Sequence, residues 1–457
     1  MNSICISFLS LSLFVSASYG YTSYANDFID PEFVLARQYV NNTMGAQATI
    51  KDWADELAAQ GSWSVTSKPF NAPSGDKHDY MSWAPYWWPD CSKVGNTTVL
   101  PPEEVWKRCP YKSRDGQFNP DVRLVNNVGA FQNFSDAVLY NSLAWVLVVV
   151  KFIKTWFLDE DTRMNPNLNY AQMQRGPDGQ TGSHTGVLDL KSMSKVVSGI
   201  LLLREGKSSA WTPDIDAQMV AWSKEYITWL ETAHIAIEEA HAENNHGTFY
   251  YNQLAALKIL VNDMNGAKNV TDAYFKQQYL SQINANGEQP LEAARTRPYH
   301  YRAYNLAAMI TNARLSQYAT KNSDVWRAQT SSGATIRNAL DFAMTISAKA
   351  SNEDSYAEEL YPNIGAVAAV YGDPNGKYLT YLQKAEPTFT SEAWYFWNQP
   401  FALSLSGGNP TPSPAVNGNQ NAQSNTNSGN LAYTSLIRGF GGWTIFILTV
   451  IFHSFAI

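Results

Sequence analysis

The sequence predicts an all-α fold, an α/α toroid (an incomplete α/α barrel) built from helix pairs. Three observations predict it. Apolar residues recur every three or four positions through most of the chain between about 30 and 405. Runs of alternating β-branched residues, the mark of a sandwich, are missing, and no short repeat is visible. The 457 residues are 45% apolar, so one body must bury many amphipathic helices at once. Helix pairs wound into a ring do this and leave a cleft at one end.

The chain starts with an apolar run, Ile4 to Val15, followed by Ser18-Tyr19-Gly20, with small residues at −3 and −1. This reads as a signal peptide over residues 1–20, whose removal takes Cys5 with it. The catalytic-size body follows over 21–405. Phe33 to Gln60 reads as helical.

Next comes Asp76-Lys77-His78-Asp79-Tyr80, then Trp83-Ala84-Pro85-Tyr86-Trp87-Trp88-Pro89. It is too rich in Pro and rings for a helix and reads as an ordered loop offering rings for sugar stacking. Lys77, His78, Tyr80, Tyr86 and Trp87 are its candidate binding residues. A packed loop covering the core is the alternative. Cys91 and Cys109 remain in the mature chain and predict one disulfide. Sequons at Asn41, Asn96, Asn133 and Asn269 agree with passage through the secretory route.

Asn127 to Phe157 reads as one or two buried helices. His184, in Gly182-Ser183-His184-Thr185-Gly186, is a candidate for the cleft. Leu188 to Leu203 is helical, and Asp214 to Ala242 is long and amphipathic, with Met219, Trp222, Tyr226 and Trp229 on one stripe. Glu238, Glu239 and Glu243 read as the polar face of that helix. The segment Glu243-Asn244-Asn245-His246-Gly247-Thr248-Phe249-Tyr250 then ends one helix and precedes another, which puts His246 on a short loop. Tyr250 is taken as a binding residue. Leu254 to Val261 is helical again.

Arg295-Thr296-Arg297-Pro298-Tyr299-His300-Tyr301-Arg302-Ala303-Tyr304 opens a further helix, with Pro298 suited to its first turn. His300 and Tyr304 lie four apart and Arg297 seven before Tyr304, so imidazole, guanidinium and phenol share one stripe. Tyr304 to Tyr318, Ile336 to Ala350 and Ser391 to Leu405 continue the helical pattern. Residues 406–430 turn to Gly, Asn, Ser, Pro and Thr, a flexible linker. Residues 431–457 end in an apolar run shorter than a spanning helix and fit a GPI-anchor signal, with a tail-anchored helix as the alternative.

Net charge is −7, which excludes a basic nucleic-acid binder. No HExxH, paired-Cys ligand set or Asp-rich calcium loop occurs, so no metal and no cofactor are expected.

Asn-Asn-His-Gly at 244–247, followed by Arg-Pro-Tyr-His-Tyr-Arg-Ala-Tyr at 297–304, resembles the alginate-lyase superfamily of polysaccharide lyases, families 5 and 38. Lys77-His78-Asp79-Tyr80, Ala84-Pro85-Tyr86-Trp87-Trp88-Pro89, Trp156-Phe157-Leu158 and Thr162-Arg163-Met164-Asn165-Pro166 add to the likeness, which extends over most of the mature chain. The resemblance implies an α/α toroid and a secreted enzyme that cuts an acidic polysaccharide. It implies that Asn245 and His246 meet the substrate carboxylate and C5, that Tyr304 is the catalytic tyrosine, and that Arg297 supports it. Lys77 is its candidate for a lid lysine.

β-Elimination removes the C5 proton, expels O4 and forms a C4=C5 double bond. Donors at the carboxylate stabilise the charge that develops. In mannuronate and glucuronate the C5 proton and O4 lie on one face, so one residue can serve both ends. Tyr304 is that residue, with Arg297 expected to lower its pKa. In guluronate the two lie on opposite faces, which would make His246 the base and Tyr304 the acid. Two other functions stay open at this point. A glycoside hydrolase on a similar toroid needs two carboxylates about 5–9 Å apart. A non-catalytic wall protein would bind acidic polysaccharide through the aromatic loop. The expected partners are the polysaccharide and, through the C-terminal tail, a membrane; the body is expected to be a monomer.

Overall fold

The computed structural model of the chain describes residues 21–24, 27–36, 41–94 and 99–398. The expected signal peptide, Asn96, the Asn41 side chain, the linker 406–430 and the tail 431–457 lie outside the described residues. So does the segment Thr411–Ile457, which separates from Met1–Pro410 as a second unit.

Seven helices pack in a ring. Met44–Gln60 lies on Asn127–Leu143, which lies on Met193–Glu205, then Asn245–Leu260, Pro298–Thr320, Tyr361–Tyr371 and Ala393–Trp397, which returns to Met44–Gln60. Between them run outer helices. Pro213–Thr232 packs on the Asn245 helix, Met264–Lys276 on the Asn245 and Pro298 helices, and Lys377–Ala385 on the Tyr361 helix. This is the α/α toroid.

Burial separates the two layers. The Asn245 helix is buried almost all round, as an inner helix must be. Met264–Lys276 buries only Ala267, Thr271, Tyr274 and Phe275, a single stripe at helical spacing. Helix starts follow local chemistry: Thr212 caps Pro213–Thr232 by accepting from the Ile215 amide, with Pro213 at the first position.

Residues 127–157, expected as one or two helices, form two, with Trp145 at a left-handed φ of 58° between Asn127–Leu143 and Val149–Ile153. Other expected helices are broken or shortened. Within 214–242, extended Ala233 ends one helix, and His234–Ala240 starts another. Ile336–Ala343 is shorter than expected, and Leu254–Val261 is the second half of a helix that begins at Asn245.

The aromatic loop is partly stranded. Met81–Trp83 pairs in parallel with Tyr170–Met173, and Trp87–Pro89 pairs antiparallel with Tyr111–Ser113. Beside the second pair, Cys91 and Cys109 form the expected disulfide, with Cα atoms 4.8 Å apart. Deep in the ring, Lys195 and Asp136 form a fully buried ion pair at 2.7 Å. Lys195 Nζ also donates to the Tyr24 carbonyl at 2.6 Å, and the Tyr140 hydroxyl donates to that of Thr22 at 3.0 Å. The N-terminal segment is thereby fixed against the inner helices. Of the described sequons, Asn269 is exposed, whereas Asn133 is half-buried and its Oδ1 accepts from the Tyr21 hydroxyl. Among the described residues, no helix is long and apolar enough to cross a membrane.

Candidate active site

Asn244 is the N-cap of its helix, accepting from the His246 amide at 3.2 Å. Asn245 and His246 therefore sit in a helix's first turn and not on the expected loop, because Asn244 starts the helix rather than terminating the previous one. Gly247 fits because a Cβ there would stand 2.0 Å from the Ala242 carbonyl oxygen. The Asn245 amide and its Nδ2 both donate to the buried Glu292 carboxylate, each at 2.7 Å. That fork holds Asn245 in one rotamer. Burial raises the Glu292 pKa, against the hydrogen bonds from Asn245.

His246 and His184 share one carboxylate. The Nδ1 of His246 lies 2.6 Å from Glu239 Oε1, and the Nδ1 of His184 lies 2.7 Å from Glu239 Oε2. The two rings are 6.3 Å apart. Glu239 is fully buried, which corrects its reading as part of a solvent-facing helix surface. Burial acts to raise its pKa, but the hydrogen bonds from both histidines win and hold it below the usual carboxylate range. Glu239 is thus ionised and acceptor-only, so the Nδ1 of each ring carries the proton of the hydrogen bond. The hydrogen bond from Glu239 raises the His184 pKa above its ordinary value.

The second half of the site begins at Pro298. Glu353, from a distant loop, accepts from the amides of Tyr299 at 3.0 Å and His300 at 2.9 Å, capping that helix. Arg297 stands just outside it. Its Nη2 donates to the Tyr86 hydroxyl at 3.0 Å and its Nη1 to the Tyr356 hydroxyl. Among the described residues no contact joins Arg297 to Tyr304, whose pKa is raised, which corrects the expectation that the arginine lowers it. Arg297 is the N-cap residue with non-helical φ, so the seven-residue stripe never forms.

Tyr304 is gripped by its ring. Phe249, three residues after His246 on the same helix, lies 4.5 Å away, and His300 stacks on it at 5.4 Å and 30°. His300 is itself fixed by Glu359, 2.6 Å from its Nδ1. The Tyr304 hydroxyl has no hydrogen-bond partner among the described residues, yet it is not one of the sealed-off polar atoms. Tyr304 and His300 both line a cavity of about 1590 Å³. Burial, reinforced by Tyr301, Glu359, Tyr86 and Glu292, pushes the phenol well above its usual pKa. The contact of Phe249, on the His246 helix, with Tyr304 joins the two halves of the site.

The other candidates divide. Tyr86 and Trp87 are partly exposed, and Lys77 is exposed. His78 turns its Nδ1 to the Arg163 carbonyl at 2.7 Å, away from the cluster. Two are corrected. Tyr80 is fully buried with its hydroxyl on Asp189, and Tyr250 is 5% exposed with its hydroxyl on the Leu230 carbonyl, so neither ring is open to a sugar. Among the described residues no cluster has metal-ligand geometry. Glu239, Glu292, Glu353 and Tyr356 were missed by sequence reasoning. Only Glu239 left a signal, seven residues before His246, and the helix break between them hides it.

The alginate lyase family model matches residues 64–353, more than half of the chain. A crystal structure of an alginate lyase from Bacteroides ovatus is 28% identical, with a TM-score of 0.70 over 81% of this chain and 98% of that one. No curated protein matches.

Proposed function

The chain belongs to the alginate lyase family and is a polysaccharide lyase, and we propose that it cuts β-1,4-linked uronans, mannuronan or glucuronan, by β-elimination at Tyr304. One observation carries the reading: a cavity-lining tyrosine held by its ring between Phe249 and His300, with its hydroxyl uncommitted among the described residues. As the phenolate, Tyr304 takes the C5 proton, and the phenol so formed gives that proton to O4 on the same face. Asn245, locked by Glu292, and His246, oriented by Glu239, meet the carboxylate and stabilise the charge that develops on it. Arg297 holds Tyr86 and Tyr356 rather than tuning Tyr304. The test is the near-ultraviolet absorbance of C4=C5 products from each uronan, with Tyr304→Phe as the control. Saturated products would indicate hydrolysis, and binding without products a wall protein.

A second reading rests on the Glu239–His246 contact. A carboxylate on Nδ1 leaves a basic Nε2, and a phenol with a raised pKa is a ready acid. On guluronate-type linkages, His246 would take the proton and Tyr304 would protonate O4.

The leader and tail support secretion and a C-terminal GPI anchor on a monomeric body. Release from cells by a phosphatidylinositol-specific phospholipase tests the anchor.

A further inference from the structure

Among the residues that line the cavity with Tyr304 are the acids Asp52, Glu56, Glu358, Glu386 and Glu392. Three cations also reach it. Lys195 is committed to Asp136, and Arg314 to Asp27 at 3.6 Å and to Asn398 at 2.9 Å. Lys191, between the His184 segment and the Met193 helix, differs. It is partly buried, and among the described residues its Nζ has no hydrogen bond or ion pair. Ser192 and Gln132 line the same cavity and offer further polar groups.

We propose that Lys191 is a substrate-binding residue that takes the carboxylate of the uronate reaching furthest into the cavity past Tyr304. This rests on the elimination reading of the same site. An unpaired ammonium half-withdrawn from water is costly, and a carboxylate brought by the substrate relieves it. Burial holds the Lys191 pKa below the ordinary lysine range, although Asp189 acts to raise it, so the group lacks a full counter-charge of its own. The acids on the remaining wall repel a further uronate. Lys191 therefore marks the last sugar position on that side, and a polyuronate chain ends there. The cavity exceeds the ordinary range of about 300–1000 Å³ for a small-ligand site, as a short oligosaccharide requires.

The test is kinetic and calorimetric, on the full chain, with mannuronate and glucuronate oligosaccharides. Lys191→Met is expected to raise KM about tenfold and leave kcat within about threefold, and Lys191→Arg to recover most of the KM. In a Tyr304→Phe background, which binds without turning over, Lys191→Met is expected to weaken oligosaccharide binding by a similar factor. Unchanged KM and unchanged binding in Lys191→Met overturn the proposal. A loss of kcat with unchanged KM overturns it too, since a positional disturbance of the Met193 helix would produce that. If the wild type releases no unsaturated product from any uronan, the elimination reading fails on its own, while the binding arm still reports on Lys191.

Discussion

Glu239 holds His246: a fully buried carboxylate oxygen lies 2.6 Å from the imidazole Nδ1, while its other oxygen holds His184 at 2.7 Å. One ion thus fixes the tautomer and the aim of both rings. Glu239→Gln keeps the shape but removes the charge and gives one histidine a donor where it needs an acceptor. We expect kcat to fall between about 10- and 100-fold, as when the orienting partner of an imidazole is lost. Steady-state kinetics on the preferred uronan checks this.

The same contact sets a pH window for stability. The His184 pKa is raised, so its contribution is complete below its unfolded value, about 6.5, and fades as pH climbs through the folded value. The Glu239 pKa is lowered, so its contribution is complete above its unfolded value and fades as pH falls through the folded one. Both are present together between about 4.5 and 6.5. The melting temperature measured against pH is expected to crest there in the wild type and to flatten in Glu239→Gln.

Tyr304 makes a different prediction for rate. Its phenol is pushed above the usual value by burial, so it is protonated at neutral pH. If Tyr304 is the base, kcat/KM climbs into the alkaline range without an early plateau. If Tyr304 is instead the acid, the rate falls in the alkaline range when the phenol ionises. The pH profile on mannuronan and on guluronan, measured side by side, separates the two.

The buried Lys195–Asp136 pair anchors the N-terminal segment through the Tyr24 carbonyl. Burial already pushes the Asp136 pKa up against the help of Lys195. Lys195→Met leaves that carboxylate alone, and we expect a loss of about 3–5 kcal/mol in chemical denaturation. Lys195→Met with Asp136→Leu removes both charges and is expected to recover much of it.

The ring of helices was legible because inner and outer helices both carry helical spacing of apolar residues. Met219, Trp222, Tyr226 and Trp229 reveal a helix wherever it sits. The break at Ala233 was not legible, since Ala is neither Gly nor Pro and tertiary packing sets its backbone. In the site, Asn245, His246 and Tyr304 are adjacent to recognisable motifs. Their supports are not: Glu292 is 47 residues from Asn245, and Glu353 is 54 from Tyr299. Such long-range carboxylates look like surface charge until the chain folds. Tyr80 and Tyr250 misled for the converse reason, because a ring beside a motif reads alike whether it faces sugar or core.

The most direct measurement is the release of unsaturated, near-ultraviolet-absorbing ends from mannuronan and glucuronan by wild type and Tyr304→Phe, with equal folding confirmed by circular dichroism. The phenol carries the proton in this chemistry, so the wild type is expected to be active and Tyr304→Phe to lose at least about 100-fold. A folded Tyr304→Phe protein that keeps most of the wild-type rate would contradict Tyr304 as the elimination residue.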